Sequence, residues 1–380
     1  MDRKKMRTWA EIDLEALRNN LRVAQKMTGK KVMCVIKGDA HGHGAVECGA
    51  VLAGAGADAF AVACLTEAVK LRTSGIRQPI LILGWTPVEF ADEIVEHDLS
   101  QSVMDLEYAR ELNAAVRDSS RPLRIHVKLD TGMSRTGILA QGKPEHVAGT
   151  IIEIAALPHL SLEGIFTHFA AADQSCKNDF TAWQVSNYEN VLCELEKLGF
   201  DRPVVRHAGN SATILFHPEA HYDMVRAGVM LYGFSPTNDW GVENDLLPVL
   251  SLKSRVAQVK TLPAGACVSY GCTYETERET KVAVVTAGYA DAYPRSLSNQ
   301  GAYAVINGCR CRQIGRICMD MCMFDVTGVE VEPGDEVILY GAGGMSMEDV
   351  TNMVGSINCE PTSLLTERVA RVYVGGKETE

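Results

Sequence analysis

No apolar stretch of the chain approaches the roughly 18 residues that a helix needs to cross a bilayer. The first seven residues are largely charged, and no apolar signal core follows them. Basic residues are also fewer than acidic ones: the chain has 37 Lys and Arg and 48 Asp and Glu, which gives a net charge of −11. Such a chain repels nucleic-acid backbones and anionic lipid. We therefore expect a soluble cytoplasmic protein that binds neither nucleic acid nor membranes.

The cysteine patterns of disulfide scaffolds and zinc sites are also missing. Most of the twelve Cys stand singly inside apolar runs, as Cys34 does, which is typical of reduced thiols in a core. A single cluster consists of Cys309, Cys311, Cys318 and Cys322. It lacks the paired C-x-x-C knuckles or the added His that zinc usually requires, so we expect no metal site there.

What the chain does contain is a regular alternation of strand-like and helix-like segments over about 230 residues. Apolar, β-branched runs predict strands at residues 32–36, 59–63, 79–83, 101–104, 123–129, 162–167, 203–206 and 224–231. Near-continuous apolar strands followed by helices indicate a parallel sheet covered by helices, and eight such units match a (β/α)₈ barrel. An open doubly wound sheet is the alternative, although no glycine fingerprint opens the first unit.

The pattern changes after Gly233. From residue 250 onward, strand-like runs at 254–261, 281–287, 302–306, 321–326 and 336–339 are joined by turns, and only 346–356 reads as a helix. This pattern predicts a second, mostly β domain. We place the barrel at residues 11–242 and the C-terminal β domain at residues 243–380.

Residues with reactive side chains stand where the predicted barrel strands end. They are Lys37, Lys128, Asp130, His168, His207 and, within the eighth strand, Arg226. Catalysis in such barrels takes place at these carboxyl ends. Lys37 follows an apolar strand directly, so we expect it to point inward, where burial lowers a lysine pKa and frees a nucleophilic amine.

Two glycine-containing turns suit a bound phosphate. Residues 209–211, Gly-Asn-Ser, lead into a short predicted helix, and residues 226–228, Arg-Ala-Gly, follow from the eighth strand. The loops after the seventh and eighth strands are the usual phosphate site of this barrel, and free amides at the start of a helix attract anions. A barrel, a phosphate site and a buried lysine together indicate pyridoxal phosphate held by Lys37 as a Schiff base.

A series of motifs resembles the alanine racemase family, in its order and spacing. They are WAEID at 9–13, VIKGDAHGHG at 35–44, KLDTGMSR at 128–135, GIFTHF at 164–169, HAGNSA at 207–212, VSYG at 268–271, GYAD at 288–291 and GRICMD at 315–320. The resemblance covers nearly the whole chain and is highly specific. It implies a pyridoxal-phosphate barrel of fold type III followed by a β domain, which residues 1–10 join before the chain enters the barrel.

The resemblance implies racemisation of alanine by two bases, which supplies a D-amino acid for peptidoglycan. Lys37 would handle the proton of the D-enantiomer and Tyr270 that of the L-enantiomer. A phenol with a pKa near 10 needs a partner that stabilises its phenolate, and His168 resembles that partner. Tyr270 would reach the site of the other subunit, so the implied assembly is a homodimer with shared sites.

The remaining family roles are carried over in the same way. Arg226 resembles the group that faces the pyridine nitrogen, and Arg135 resembles the residue that binds the cofactor's phenolic oxygen and the substrate carboxylate. Lys128 matches a lysine that is often carbamylated and then orients that arginine. Phosphate ligands would be Asn210, Ser211 and Gly228, the backbone of Met319 would bind the carboxylate, and entrance residues would be Asp173, Tyr289, Arg295 and Arg316.

Two positions depart from the family pattern. His41 stands where the family usually has a tyrosine that helps to hold the cofactor, and Cys359 replaces a second tyrosine that bounds the pocket. Because cysteine is smaller than tyrosine, we expect the pocket to accept serine as well as alanine.

Two other functions remain as alternatives. His41, His43, Lys128, His168 and His207 resemble a binuclear metal amidohydrolase site, which would leave Lys37 without a role. A non-catalytic pyridoxal-phosphate carrier is the second alternative, although a carrier needs no β domain with a second base.

Overall fold

The computed structural model describes residues 5–236 and 245–376 of the chain, and they form two β-rich units. The strands are β1 Thr8–Asp13, β2 Lys31–Val35, β3 Ala59–Val62, β4 Ile80–Ile82, β5 Ser100–Val103, β6 Leu123–Asp130, β7 Ile138–Leu139, β8 Leu160–Phe166, β9 Val205–His207, β10 Met224–Ala227, β11 Leu250–Leu262, β12 Thr280–Val285, β13 Tyr303–Ile306, β14 Cys309–Gln313, β15 Cys322–Asp325, β16 Glu336–Tyr340 and β17 Ala370–Val374.

Helices of this part of the chain cover mainly the first unit. They are α1 Leu14–Thr28, α2 Lys37–His41, α3 Ala45–Gly54, α4 Leu65–Thr73, α5 Ala91–Glu96, α6 Leu106–Ala115, α7 Pro144–Ala155, α8 Asn178–Lys197, α9 Ser211–Phe216, α10 Met347–Val354 and α11 Cys359–Ser363. None of the described helices is both long and apolar enough to span a membrane.

The first unit is a parallel barrel. Its strands follow the order β10-β2-β3-β4-β5-β6-β8-β9, with β7 paired to the end of β6. Two backbone hydrogen bonds bring β9 and β10 together, from Asp223 N to Arg206 O and from Arg226 N to Gly209 O. The predicted (β/α)₈ barrel is thus confirmed, and the open doubly wound alternative is wrong.

The second unit is a mostly antiparallel sheet in the order β12-β15-β14-β13-β16-β11-β1-β17, which an additional β11–β12 pairing curls on itself. β1 lies in this sheet, antiparallel to β11 and parallel to β17, before the chain enters the barrel. The predicted mostly β domain is confirmed, but it contains a second short helix, α11, beside the one predicted at 346–356. The proposed boundary between residues 242 and 243 falls outside the described residues.

Local sequence explains how the chain leaves β1 for the barrel. Asp13 caps α1 by accepting hydrogen bonds from the amides of Glu15 and Ala16, at 2.9 and 3.0 Å. Such a cap replaces hydrogen bonds that the first turn of a helix lacks. The helix ends at Gly29, whose φ of 58° suits a residue without Cβ. Its apolar face is buried, so α1 is fixed against the barrel.

The two units share a continuous hydrophobic core. Asn20 of α1, which is fully buried, bonds to the chain both before residue 237 and after residue 244. Its amide nitrogen donates to Leu231 O and Leu247 O, and its oxygen accepts from Leu247 N. Asn20 therefore ties α1 to the two chain segments at the junction of the units.

Candidate active site

A cavity of about 790 Å³ opens at the carboxyl ends of the barrel strands. Of the residues singled out from the sequence, it is lined by Lys37, His41, Lys128, Arg135, His168, Asp173, Asn210, Ser211, Arg226, Gly228 and Cys359. These residues come from distant parts of the chain and from both units, so the fold brings them to one place. The cavity is rich in cationic side chains, and Asp173 is the single carboxylate among its described lining residues.

Arg226 lies at the floor of this cavity and is 3 % exposed. Its Nη1 donates to the Nδ1 and carbonyl of His207, both at 2.9 Å. Its Nη2 donates to the carbonyls of Thr167 and Ala208, at 2.7 and 3.0 Å, and to the Nδ1 of His168 at 3.1 Å. Burial lowers the pKa of Arg226 to about 10, so the guanidinium remains charged at neutral pH.

The guanidinium determines the tautomers of two histidines. A guanidinium only donates, so the Nδ1 atoms of His168 and His207 accept and their Nε2 atoms carry the protons. The Nε2–H of His207 then donates to the Nδ1 of His126 at 2.9 Å. Burial, followed by the charge of Arg226, holds the pKa of His168 and of His207 well below the usual range. Both imidazoles are therefore neutral, and His168 keeps one N–H donor.

Lys128 lies on β6 beneath the same cavity and donates a hydrogen bond to the Thr136 hydroxyl. Burial, together with the charges of Arg135 and Arg226, lowers the pKa of Lys128 to about 8. An amine with this pKa is largely neutral at mildly alkaline pH, whereas an ordinary lysine with a pKa near 10.4 is not. Lys128 is therefore a nucleophilic amine.

The two predicted phosphate turns meet. The Ser211 hydroxyl oxygen accepts from Gly228 N at 3.0 Å and from Met230 N at 3.4 Å, which joins the start of α9 to the end of β10. Asn210 caps α9 through a hydrogen bond from Thr213 N to its side-chain oxygen. The side-chain oxygen of Asn210 is thus already hydrogen-bonded to the backbone of α9. Asn210, Ser211 and Gly228 all line the cavity.

The residues after Lys37 form a turn of left-handed helix. Gly38, Asp39 and Ala40 have φ and ψ values of 62° and 43°, 52° and 49°, and 57° and 46°. His41 continues with a φ of 52°. The left-handed conformation costs roughly 1–2 kcal/mol for each residue that carries a Cβ, so the surroundings must hold the turn in place. Lys37 and His41, at its two ends, both line the cavity. The prediction that Lys37 is buried is wrong, because the turn begins at the rim of the barrel and leaves its side chain exposed in the open cavity.

The two positions that depart from the family pattern lie together. α11, which Cys359 begins, packs against α2. Both His41 and Cys359 line the cavity. His41 is 8 % exposed, its Nδ1 has no hydrogen-bond partner in the described structure, and burial lowers its pKa to about 4. Burial raises the pKa of the Cys359 thiol, which therefore stays protonated.

The other predicted site residues lie on the β domain and do not line the cavity of their own chain. They are Tyr270, Tyr289, Arg295, Arg316 and Met319. The Tyr270 side chain is 69 % exposed and follows Ser269, which has a φ of 67°. The Ser269 hydroxyl donates to Arg316 O at 2.6 Å, and Ala290 N donates to Met319 O at 3.1 Å. Three loops of the β domain are thus tied into one exposed cluster.

Nothing in the described residues supports the alternative of a metal site. His168 and His207 bind Arg226, and His43 bonds to the carbonyl of Ala40 and stacks on Tyr232 at 4.4 Å. Among residues 5–236 and 245–376, no group of three or more His, Cys, Asp or Glu is arranged to hold a metal.

Sequence reasoning missed two residues that support the site. His126 extends the Arg226 network, and Glu67 binds the backbone next to Lys37. A signal existed for His126, because it interrupts the apolar run that became β6. Glu67 lies in the first turn of α4, where an acidic residue is common, so its position gave no signal.

Comparisons with known proteins agree over the whole chain. The family described as "Alanine racemase, N-terminal domain" matches residues 12–236, and "Alanine racemase, C-terminal domain" matches residues 249–373. An alanine racemase of Methanococcus maripaludis is 42 % identical over 96 % of this chain and 98 % of its own. One from Clostridium perfringens is 41 % identical over 97 % and 96 %.

Solved structures give the same result. An alanine racemase of Clostridium difficile 630 has a TM-score of 0.90 at 36 % identity, over 97 % of this chain and 96 % of its own. The alanine racemase of Bacillus anthracis with bound L-Ala-P has a TM-score of 0.87 at 34 % identity, over 97 % and 95 %.

The buried histidines predict how stability depends on pH. His41, His43, His126, His168 and His207 all have lowered pKa values and stay neutral in the folded protein below pH 6.5. The unfolded chain then binds more protons, so stability falls as the pH falls below 6.5, by up to about 1.4 kcal/mol per pH unit for each histidine. Carboxylates titrate mainly at lower pH.

Urea unfolding between pH 7 and pH 5 measures this dependence. We expect His43→Phe, which preserves the stacking on Tyr232 but removes one titrating group, to make the slope shallower. A free energy of unfolding that is flat over this range, or a variant slope equal to that of the wild type, would contradict the assignment of neutral histidines.

Proposed function

The chain belongs to the alanine racemase family and interconverts L- and D-alanine, and we propose that it does so with Lys37 of one chain and Tyr270 of a second copy. The observation that carries this proposal is the separation of the two residues: Lys37 lines the cavity, and Tyr270 is exposed on the β domain. Membership of this family, with a match to both of its domains, argues against the two alternative functions, the metal hydrolase and the non-catalytic carrier.

The cofactor that fits this cavity is pyridoxal 5′-phosphate. Lys37, Lys128, Arg135 and Arg226 make the cavity cationic, and the joined turns at Ser211 and Gly228 offer polar groups to a phosphate. When bound, this cofactor withdraws electrons from the α-carbon of an amino acid, so that the α-proton can leave and return. The residues thus fit an anionic cofactor with a covalent link to Lys37.

We assign the holding roles as the family resemblance implies. Ser211, Gly228 and Asn210 hold the phosphate, together with His41 in place of the usual tyrosine. Arg226 would be the residue next to the ring nitrogen, and because its guanidinium keeps its protons it would not supply one to that nitrogen. Arg135 binds the substrate carboxylate, assisted by the backbone of Met319.

The proton transfers are assigned as the family resemblance implies, and the hydrogen bonds of Arg226 support the part that His168 takes in them. The Nζ of Lys37 exchanges the proton of D-alanine, and the Oη of Tyr270 exchanges that of L-alanine. A tyrosine is a poor base unless its phenolate is stabilised. His168 has its Nδ1 occupied by Arg226 and its Nε2 protonated, so it is a donor suited to that phenolate.

The nucleophilic amine of Lys128 suits carbamylation. Only a neutral amine can attack carbon dioxide, and a pKa of about 8 leaves part of Lys128 in that form near neutral pH. The attack forms a nitrogen–carbon bond and releases one proton to solvent. The resulting carbamate is an anion next to Arg135, whose charge already contributes to the lowered pKa of Lys128. We propose that it orients the Arg135 guanidinium toward the substrate carboxylate.

The access route and biological role complete the proposal. Asp173 of one chain and Tyr289, Arg295 and Arg316 of its partner line the entrance of the dimer. The product D-alanine serves peptidoglycan synthesis. Serine is a second substrate, because Cys359 lines the cavity where the family usually has a tyrosine ring.

Mixing two inactive variants tests the shared site. Lys37→Ala lacks the lysine, and Tyr270→Phe lacks the phenol, so each homodimer is expected to be inactive. In mixed dimers one of the two sites is intact, so random exchange should restore about a quarter of the wild-type racemisation rate. Alanine racemisation after subunit exchange measures the recovery.

A mixture of Lys37→Ala with Lys37→Arg is the matched control, because both chains lack the same group and no site becomes complete. If verified subunit exchange between Lys37→Ala and Tyr270→Phe restored no activity, each chain would build its own site and the proposal would be wrong.

Restoring the ring at position 359 tests the serine assignment. We expect Cys359→Tyr to lower the ratio of kcat/KM for serine to that for alanine, because the ring occupies the space of the hydroxymethyl group. One such group is worth only about 1–3 kcal/mol, so the expected change is partial. Cys359→Ser, which stays small, should keep the wild-type ratio. An unchanged ratio in Cys359→Tyr would show that position 359 does not select the substrate.

A further inference from the structure

The Glu67 carboxylate joins the ends of two neighbouring barrel strands. Its Oε1 accepts a hydrogen bond from Gly38 N at 2.6 Å, and its Oε2 accepts one from Ala63 N at 2.8 Å. Gly38 follows Lys37 directly, and Ala63 follows β3. Both Lys37 and Ala63 line the cavity. A single side chain of α4 thus connects the backbone at the lysine to the next strand of the barrel.

This connection holds the first residue of the left-handed turn. Within the turn, Ala40 N donates to Ile36 O and Gly42 N donates to Gly38 O, both at 2.9 Å. The amide of Gly38 is bonded by a side chain, Glu67, rather than by the backbone. Hydrogen bonds to a carboxylate are shorter and stronger than those between neutral groups, so this contact restrains the turn at the lysine end.

The other end of the turn is held by the β domain. Gly42 O accepts from the Nε of Arg371 at 3.1 Å, and a Cβ on Gly42 would lie 1.8 Å from the carbonyl oxygen of Thr362. Gly42 itself has a φ of 88°, so it combines a close approach with a conformation suited to glycine. The left-handed turn is therefore held at one end by contacts of the β domain with Gly42 and at the other by the hydrogen bond of Glu67 to Gly38.

A second contact between α4 and the same turn joins two side chains, whereas Glu67 bonds to the backbone. The Nζ of Lys70 lies 3.2 Å from the Oδ1 of Asp39, but both side chains are strongly exposed, at 59 % and 43 %. The hydrogen bonds of Glu67 are exposed as well. The difference is that Lys70 meets only a side chain, in an exposed ion pair that contributes little, and bonds no backbone group of the turn. Lys70 therefore offers a matched comparison for Glu67: it lies on the same helix and contacts the same turn through a weak surface contact.

We propose that Glu67 is a positioning residue, which fixes the direction of Lys37 by holding the left-handed turn at Gly38. This inference rests on the proposed role of Lys37. The carboxylate is suited to the task because both of its oxygens accept, and the two groups it meets are both amide donors. A glutamine would satisfy one amide and turn its own NH₂ group toward the other.

Glu67→Gln and Lys70→Gln test the inference in the protein loaded with pyridoxal phosphate. We expect Glu67→Gln to lower kcat at least about tenfold and to leave KM for alanine within about twofold, because displacing a reacting group slows chemistry more than binding. We also expect it to shift the pH midpoint of the visible absorbance of the lysine-bound cofactor. Lys70→Gln should match the wild type in each measurement, and urea unfolding compares the stability of the three proteins.

Three results would overturn the inference. They are a kcat of Glu67→Gln within about twofold of the wild type, an equal loss in Lys70→Gln, and a lower kcat with an unchanged pH midpoint, which indicates general loosening. Borohydride reduction of the wild type separates this failure from that of the proposed function. If no cofactor becomes fixed to Lys37, the proposed role of Lys37 is wrong and the inference fails with it. If the cofactor becomes fixed to Lys37 and Glu67→Gln has the kcat of the wild type, only the inference about Glu67 fails.

Discussion

The buried guanidinium of Arg226 is the group around which the barrel floor is organised. Its five hydrogen bonds go to carbonyl oxygens and imidazole nitrogens of the described chain. None of these acceptors carries a negative charge, so the buried guanidinium keeps its full positive charge. Such a charge favours an anionic or electron-rich ligand in the cavity above it. Burial, followed by the charge of Arg226, keeps His168 and His207 neutral, and the hydrogen bonds from Arg226 decide which ring nitrogen carries the proton. Arg226 thus contributes to the positive charge of the cavity and sets the hydrogen-bonding capacity of two of its histidines.

The β domain completes what the barrel cannot do alone. Cys359 closes one wall of the cavity, and contacts from Thr362 and Arg371 restrain the turn that follows Lys37. The strain of that turn is therefore held by interactions between the two units. On another surface, the same domain presents Tyr270 to solvent. The domain serves the cavity of its own chain and, as we propose, the cavity of a partner.

Much of this architecture could be predicted from the sequence, because buried parallel strands leave a strong apolar signal. All eight barrel strands were found, and the barrel rule brought Lys37, His168 and Arg226 to the same edge. β14 was missed because its sequence CRCRQ exposes both arginines and buries only Cys311 and Gln313. The left-handed turn and the contact from Glu67 were missed because they depend on packing between distant segments, which periodicity does not reveal. Tyr270 came from the resemblance alone, since an exposed loop tyrosine has no physical signal in one chain.

The central claim is that one base serves each enantiomer, and exchange of the α-proton with solvent deuterium in Tyr270→Ala tests it most directly. With the cofactor bound and Lys37 intact, we expect that D-alanine still exchanges its α-proton through Lys37, whereas exchange from L-alanine is largely lost. An equal loss of exchange for the two enantiomers would contradict the assignment of separate bases.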